Sequence, residues 1–97
     1  MIHNPSVAIT VDANSNIKNG VVFTGAYAEF HGDGFEDTTV TIKPKNKYDG
    51  TVIDFKGTDM SKVIIEGNKV TEIRGSENVA EFEFVKGAKA GDIRFIK

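Results

Sequence analysis

The sequence predicts an all-β fold: a single antiparallel β-sandwich, immunoglobulin-like or jelly-roll, built from about eight short strands. Three observations predict it. Apolar residues alternate with polar ones over short runs, as they do on half-buried strands. Glycine- and asparagine-rich turn signals recur about every 8–12 residues, the spacing of sandwich strands. No stretch has the 3.6-residue periodicity of a helix, and the chain is rich in Thr, Val, Ile and Phe, which favour strands.

The organising stretch is the C-terminal end. Over residues 79–85, Ala80, Phe82 and Phe84 point one way and Glu81 and Glu83 the other. Ile93 and Phe95 repeat the pattern around Arg94, across a loop with Gly87 and Gly91. This predicts a closing hairpin with a large apolar face.

From the N-terminus, residues 6–12 alternate with Val7, Ile9 and Val11 on one face. Asn19-Gly20 is a two-residue hairpin signal, because both residues tolerate positive φ. Residues 21–30 form a longer strand, bent at Gly25. His31 to Gly34 is a loop. Strands follow at 38–43, with Val40 and Ile42 inward, and at 51–56, with Ile53 and Phe55 inward. Residues 62–66 and 70–73 form a hairpin around Gly67-Asn68. The strands are not copies of one motif, which argues against a repeat solenoid. The predicted core is Val7, Ile9, Val11, Phe23, Phe30, Val40, Ile42, Ile53, Phe55, Val63, Ile65, Ile73, Phe82, Phe84, Ile93 and Phe95.

With 97 residues, the chain is expected to be one domain, residues 1–97. Fourteen acids against twelve bases leave it near neutral, which argues against a nucleic-acid partner. The absence of cysteine excludes disulfides, thiolate metal sites and cysteine nucleophiles. No signal peptide or membrane-spanning run is present, so membrane insertion is not expected.

No motif places an activated nucleophile, a phosphate loop or a metalloprotease helix, so no enzyme is expected. Residues 12–16 begin like a calcium loop but lack its glycine and its bidentate glutamate. The acidic loop with Asp33, Glu36 and Asp37 is the better calcium candidate, since calcium favours oxygen-rich loops. An ordinary solvated turn explains the same residues. No other cofactor is expected.

Lys45, Lys47 and Tyr48 share a loop suited to an acidic partner or, through the ring, to a sugar. Tyr27 and Tyr48 are the aromatic platforms in a chain without tryptophan. The expected function is a non-catalytic structural or adhesive module, a small accessory piece of a larger assembly such as a virion decoration or fibre-associated protein. The alternative is a carbohydrate-binding module using Tyr27 and Tyr48. The expected partner is a protein, or a second copy, docking on an edge strand. Residues 6–12 are the best candidate because they lack the lysines and prolines that guard edges, whereas Lys56, Lys62 and Lys69 guard the middle of the chain.

Overall fold

The alternation forms strands where the sequence places them, but they pair in a different way. The computed structural model describes residues 9–12, 20–32 and 34–97, with side chains from residue 20 onward. Among them are nine strands: β1 Ile9–Asp12, β2 Val21–Phe23, β3 Tyr27–His31, β4 Thr39–Ile42, β5 Thr51–Asp54, β6 Lys62–Glu66, β7 Val70–Arg74, β8 Phe82–Val85 and β9 Arg94–Ile96. The odd-numbered strands form one sheet in the order β1-β3-β5-β7-β9, and the even-numbered strands a second in the order β2-β4-β6-β8.

Every pairing between these strands is parallel. Successive strands lie in different sheets, so the chain winds as a β-solenoid of about four turns. The antiparallel sandwich is thereby overturned, and so is the argument against a solenoid.

The physical reason lies in the connections. Thr24-Gly25-Ala26 does not bend one strand; it is a corner that carries the chain from β2 in one sheet to β3 in the other. Gly67-Asn68 is likewise a corner between β6 and β7, at the Gly67 φ of 80°, and β8 and β9 are no hairpin either. Glycine supplies positive φ to a corner as readily as to a hairpin. The Asn19-Gly20 hairpin lies largely outside the described residues. Alternation also misleads, because clean inside–outside patterning is usual for antiparallel sheets, whereas most parallel sheets are covered on both faces. Here each parallel sheet is packed on one face and solvated on the other.

Each coil stacks its inward positions on those of the previous one. Val40, Val63 and Phe82 are aligned, as are Ile42, Ile65 and Phe84. Across the core the aligned set is Ala28, Ile53, Ile73 and Phe95. Burying such rows is the main stabilising term, at about 1.5–3 kcal/mol per large side chain. An aromatic column follows the stacking direction: Phe30 to Phe55 at 5.2 Å, Phe55 to Phe82 at 6.1 Å and Phe82 to Phe95 at 5.7 Å between ring centroids.

Ten of the predicted core residues are buried: Phe23, Phe30, Val40, Ile42, Ile53, Phe55, Val63, Ile65, Ile73 and Ile93. Val7 and the side chains of Ile9 and Val11 lie outside what is described. Ala28, Phe35, Met60 and Val70 are also buried. Phe35 belongs to a 3₁₀ turn, Phe35–Asp37, and packs edge-on against Phe30. Met60 bridges in parallel to Val79 in the next coil. The arcs between strands therefore stack as well as the strands. Thr58 Oγ1 donates to the Phe30 carbonyl at 3.2 Å, and Asn78 Nδ2 to the Gly57 carbonyl at 2.8 Å.

Candidate functional site

Two surfaces stand out: the solvated face of the five-stranded sheet and the last coil. On β3, alternation buries Ala28 and Phe30 and turns Tyr27, Glu29 and His31 outward. Parallel register sets Tyr27 beside Val52 and Glu29 beside Asp54, with Asp54 beside Arg74 on the far side. Glu29 is the hub of this face. One carboxylate oxygen lies 3.0 Å from His31 Nε2, and the other accepts from the Tyr27 hydroxyl at 3.1 Å. The Lys56 ammonium stands 3.9 Å from Glu29 and 3.6 Å from Asp54, so it separates two carboxylates on neighbouring strands. The Arg74 guanidinium donates to Glu72.

The electrostatics follow the geometry. The His31 hydrogen bond is the main cause that holds the Glu29 carboxyl below its ordinary range, with Tyr27 and Lys56 adding to it. Burial, then the bond to Glu29, pushes the Tyr27 hydroxyl up. The bond to Glu72 raises Arg74 further. The face thus presents fixed donors and acceptors held by ion pairs.

The predicted site residues are scattered over the coils. Tyr27 lies on this face. Asp33 is outside the described residues. Glu36 and Asp37 sit on the 3₁₀ turn, where Glu36 Oε1 accepts from Gly34 N–H at 3.4 Å. Among the described residues no group of three His, Cys, Asp or Glu side chains is arranged to hold a metal ion. Lys45, Lys47 and Tyr48 occupy the connection from β4 to β5, with the Lys47 ammonium 5.2 Å from the Tyr48 ring centroid. Among the described residues no hydrogen bond or ring contact joins Tyr27 to Tyr48. On the same side, Lys43, Pro44, Asn46, Glu66, Gly67 and Lys86 line a shallow cavity of about 260 Å³. Glu66 and Lys86 pair across it at 3.4 Å. No helix among the described residues is long and apolar enough to cross a membrane.

The last coil was not foreseen as a surface. Phe95 holds the register position that Ala28, Ile53 and Ile73 fill in the coils before it. Those three are fully buried, yet Phe95 is 43% exposed. Phe82 and Phe84, stacked 5.9 Å apart on β8, are only half-buried. The cause is topological: β9 is the last strand of its sheet, so Phe95 has a register neighbour, Ile73, on one side only. Across the core its ring meets Phe82 of β8 edge-on.

Glu29, Asp54 and Arg74 were not singled out as site residues, Lys56 was read only as an edge guard, and His31 only as the start of a loop. A signal for them does exist in the sequence. Ala28-Glu29-Phe30-His31 and Ile53-Asp54-Phe55-Lys56 share one order of apolar, acidic, phenylalanine and basic residues, and the register aligns them.

The fold and surfaces define a short parallel β-solenoid with one polar, ion-paired face and one apolar end. No family model, curated protein or solved structure matches the chain.

Proposed function

We propose that the chain is a non-catalytic structural or adhesive module, a small accessory component that joins a larger assembly, such as a virion or a fibre, through the end of its solenoid. The exposure of Phe95 at a register position buried in three preceding coils carries this reading. Repeat architectures need a polar cap on the terminal unit, because each unit buries its apolar face only against a neighbour. Here the final coil presents Phe82, Phe84 and Phe95 together with the free edges of β8 and β9. Free edges and an apolar patch are what a docking partner requires.

A carbohydrate-binding role is the second reading. It is favoured by the Tyr27 ring beside the fixed hydrogen-bonding row of Glu29, His31, Asp54 and Lys56. Glycan-array binding with Tyr27→Ala and Tyr48→Ala variants separates the two. The structural reading expects no saturable sugar binding. Sugar binding lost in either variant would replace it with the carbohydrate reading.

A further inference from the structure

We propose that the partner at the last coil is a second copy of this chain, added head to tail so that the solenoid continues from one molecule into the next. The inference rests on the reading of the last coil as a docking surface, and it names the occupant.

Both ends of the described solenoid belong to the same two sheets. Among the described residues, β1 is the edge of the five-stranded sheet at one end and β9 at the other; β2 and β8 are the matching edges of the four-stranded sheet. All strands run parallel, so β1 of a second copy can add to β9 in the direction every internal pair already uses. The register continues as well. Ile9 is the first member of the row Ala28, Ile53, Ile73 and Phe95, so stacking sets Ile9 of the second copy over Phe95.

Charge favours the same polarity. β1, the strand that would dock, carries one acid, Asp12, and no base. Residues 94–97, which comprise β9 and the residue after it, carry two bases, Arg94 and Lys97, and no acid. Unlike ends attract, whereas two copies of the basic end repel. β1, Ile9-Thr10-Val11-Asp12, has no lysine or proline to block an added strand. A heterologous contact of this kind does not close on itself, so it yields open chains of molecules rather than a fixed dimer.

The test is a complementation experiment read by light scattering and sedimentation, from micromolar to millimolar protein. The wild-type chain should grow in mass with concentration, past a dimer, and less so at high salt. Phe95→Lys blocks the tail and leaves the head intact. A proline on β1 blocks the head and leaves the tail. Successive residues of a strand direct their N–H groups to opposite sides, so of Thr10→Pro and Val11→Pro one spares the β1–β3 bonds. The variant that keeps the wild-type melting temperature is the one used; Asp12→Arg, which sets like charge next to the level of Lys97, replaces it where neither does.

Each blocked variant should be monomeric alone, and a mixture of the two should form a one-to-one dimer. A wild-type chain that stays monomeric, or stops at a dimer, overturns the head-to-tail proposal while leaving the last coil as a surface for another protein. A mixture that stays monomeric overturns it as well. Association unchanged in Phe95→Lys overturns both this proposal and the reading of the last coil.

Discussion

Gly75→Ala tests the stacking of coils most directly. Gly75 ends β7 at a φ of 63°, and its backbone lies on the corner of the coil before it. Its N–H donates to the Ile96 carbonyl at 3.0 Å, and its carbonyl accepts from Gly57 N–H at 2.9 Å. A methyl group at residue 75 would stand 2.7 Å from Lys56 N, 2.9 Å from Gly57 N and 3.1 Å from Asp54 Oδ1. Two of these atoms are backbone and cannot swing aside. Left-handed φ costs an L-residue about 1–2 kcal/mol. Forcing the coils apart adds about 1–3 kcal/mol of overpacking, and weakening the Gly57–Gly75 hydrogen bond about 0.5–1.5 kcal/mol. Gly67→Ala is the control. Gly67 has a φ of 80° and open space around the added methyl, so it incurs the left-handed strain alone. Both substitutions restrict the unfolded chain equally, so that contribution cancels in the comparison. Urea unfolding at unchanged m should therefore rank Gly75→Ala well below Gly67→Ala, by about 1.5–4.5 kcal/mol. If the two differ by less than about 0.5 kcal/mol, the usual scatter of surface substitutions, the coils do not stack through this corner.

Phe30→Ala should cost about 3–5 kcal/mol in the same assay, and Phe84→Ala clearly less, because the last coil leaves its ring half-exposed. Equal losses would mean that something covers the end in solution. Thr51 is fully buried and its hydroxyl has no hydrogen-bond partner among the described residues, so Thr51→Val should raise stability by about 1 kcal/mol or more; a loss would show that the hydroxyl is satisfied. In acid, Glu29 should contribute a pH-dependent component. Its carboxyl is held low in the folded chain, so its stabilisation is complete above the ordinary carboxylate range and disappears as pH falls through the folded value. Thermal melts should lose that component in Glu29→Gln, and an unchanged acid profile would refute it. Lys62 has the opposite sign. The hydrogen bond to Glu83 raises it, so its contribution is present below the ordinary lysine range and is lost as pH rises through the folded value; Glu83→Gln should flatten that alkaline limb.

Local chemistry alone located the strands. The inward positions Val40 and Ile42, Ile53, Val63 and Ile65, and Ile73 are buried where their alternation puts them. A strand turns its side chains to opposite faces whatever it pairs with, so face assignment is a local property. Turn positions were legible for the same reason, since Gly67 and Gly75 mark changes of direction that only positive φ allows.

Pairing was not legible, because it depends on which distant residues meet. Val40 meets Val63 and then Phe82, and Ala28 meets Ile53, at separations that vary from coil to coil and hide the repeat. The matched residues at 28–31 and 53–56 were the trace of it, and they were not used. The polar face behaved likewise: Tyr27 was visible as an aromatic on a strand, but Glu29, Asp54, Lys56 and Arg74 become one network only when parallel register brings their strands side by side. Phe95 shows the division most clearly. Its sequence pattern marks it as inward, and it does occupy an inward register position. Only the tertiary structure decides that no further strand stacks beside it, because burial is set by the neighbour a coil receives and not by the alternation of the coil itself.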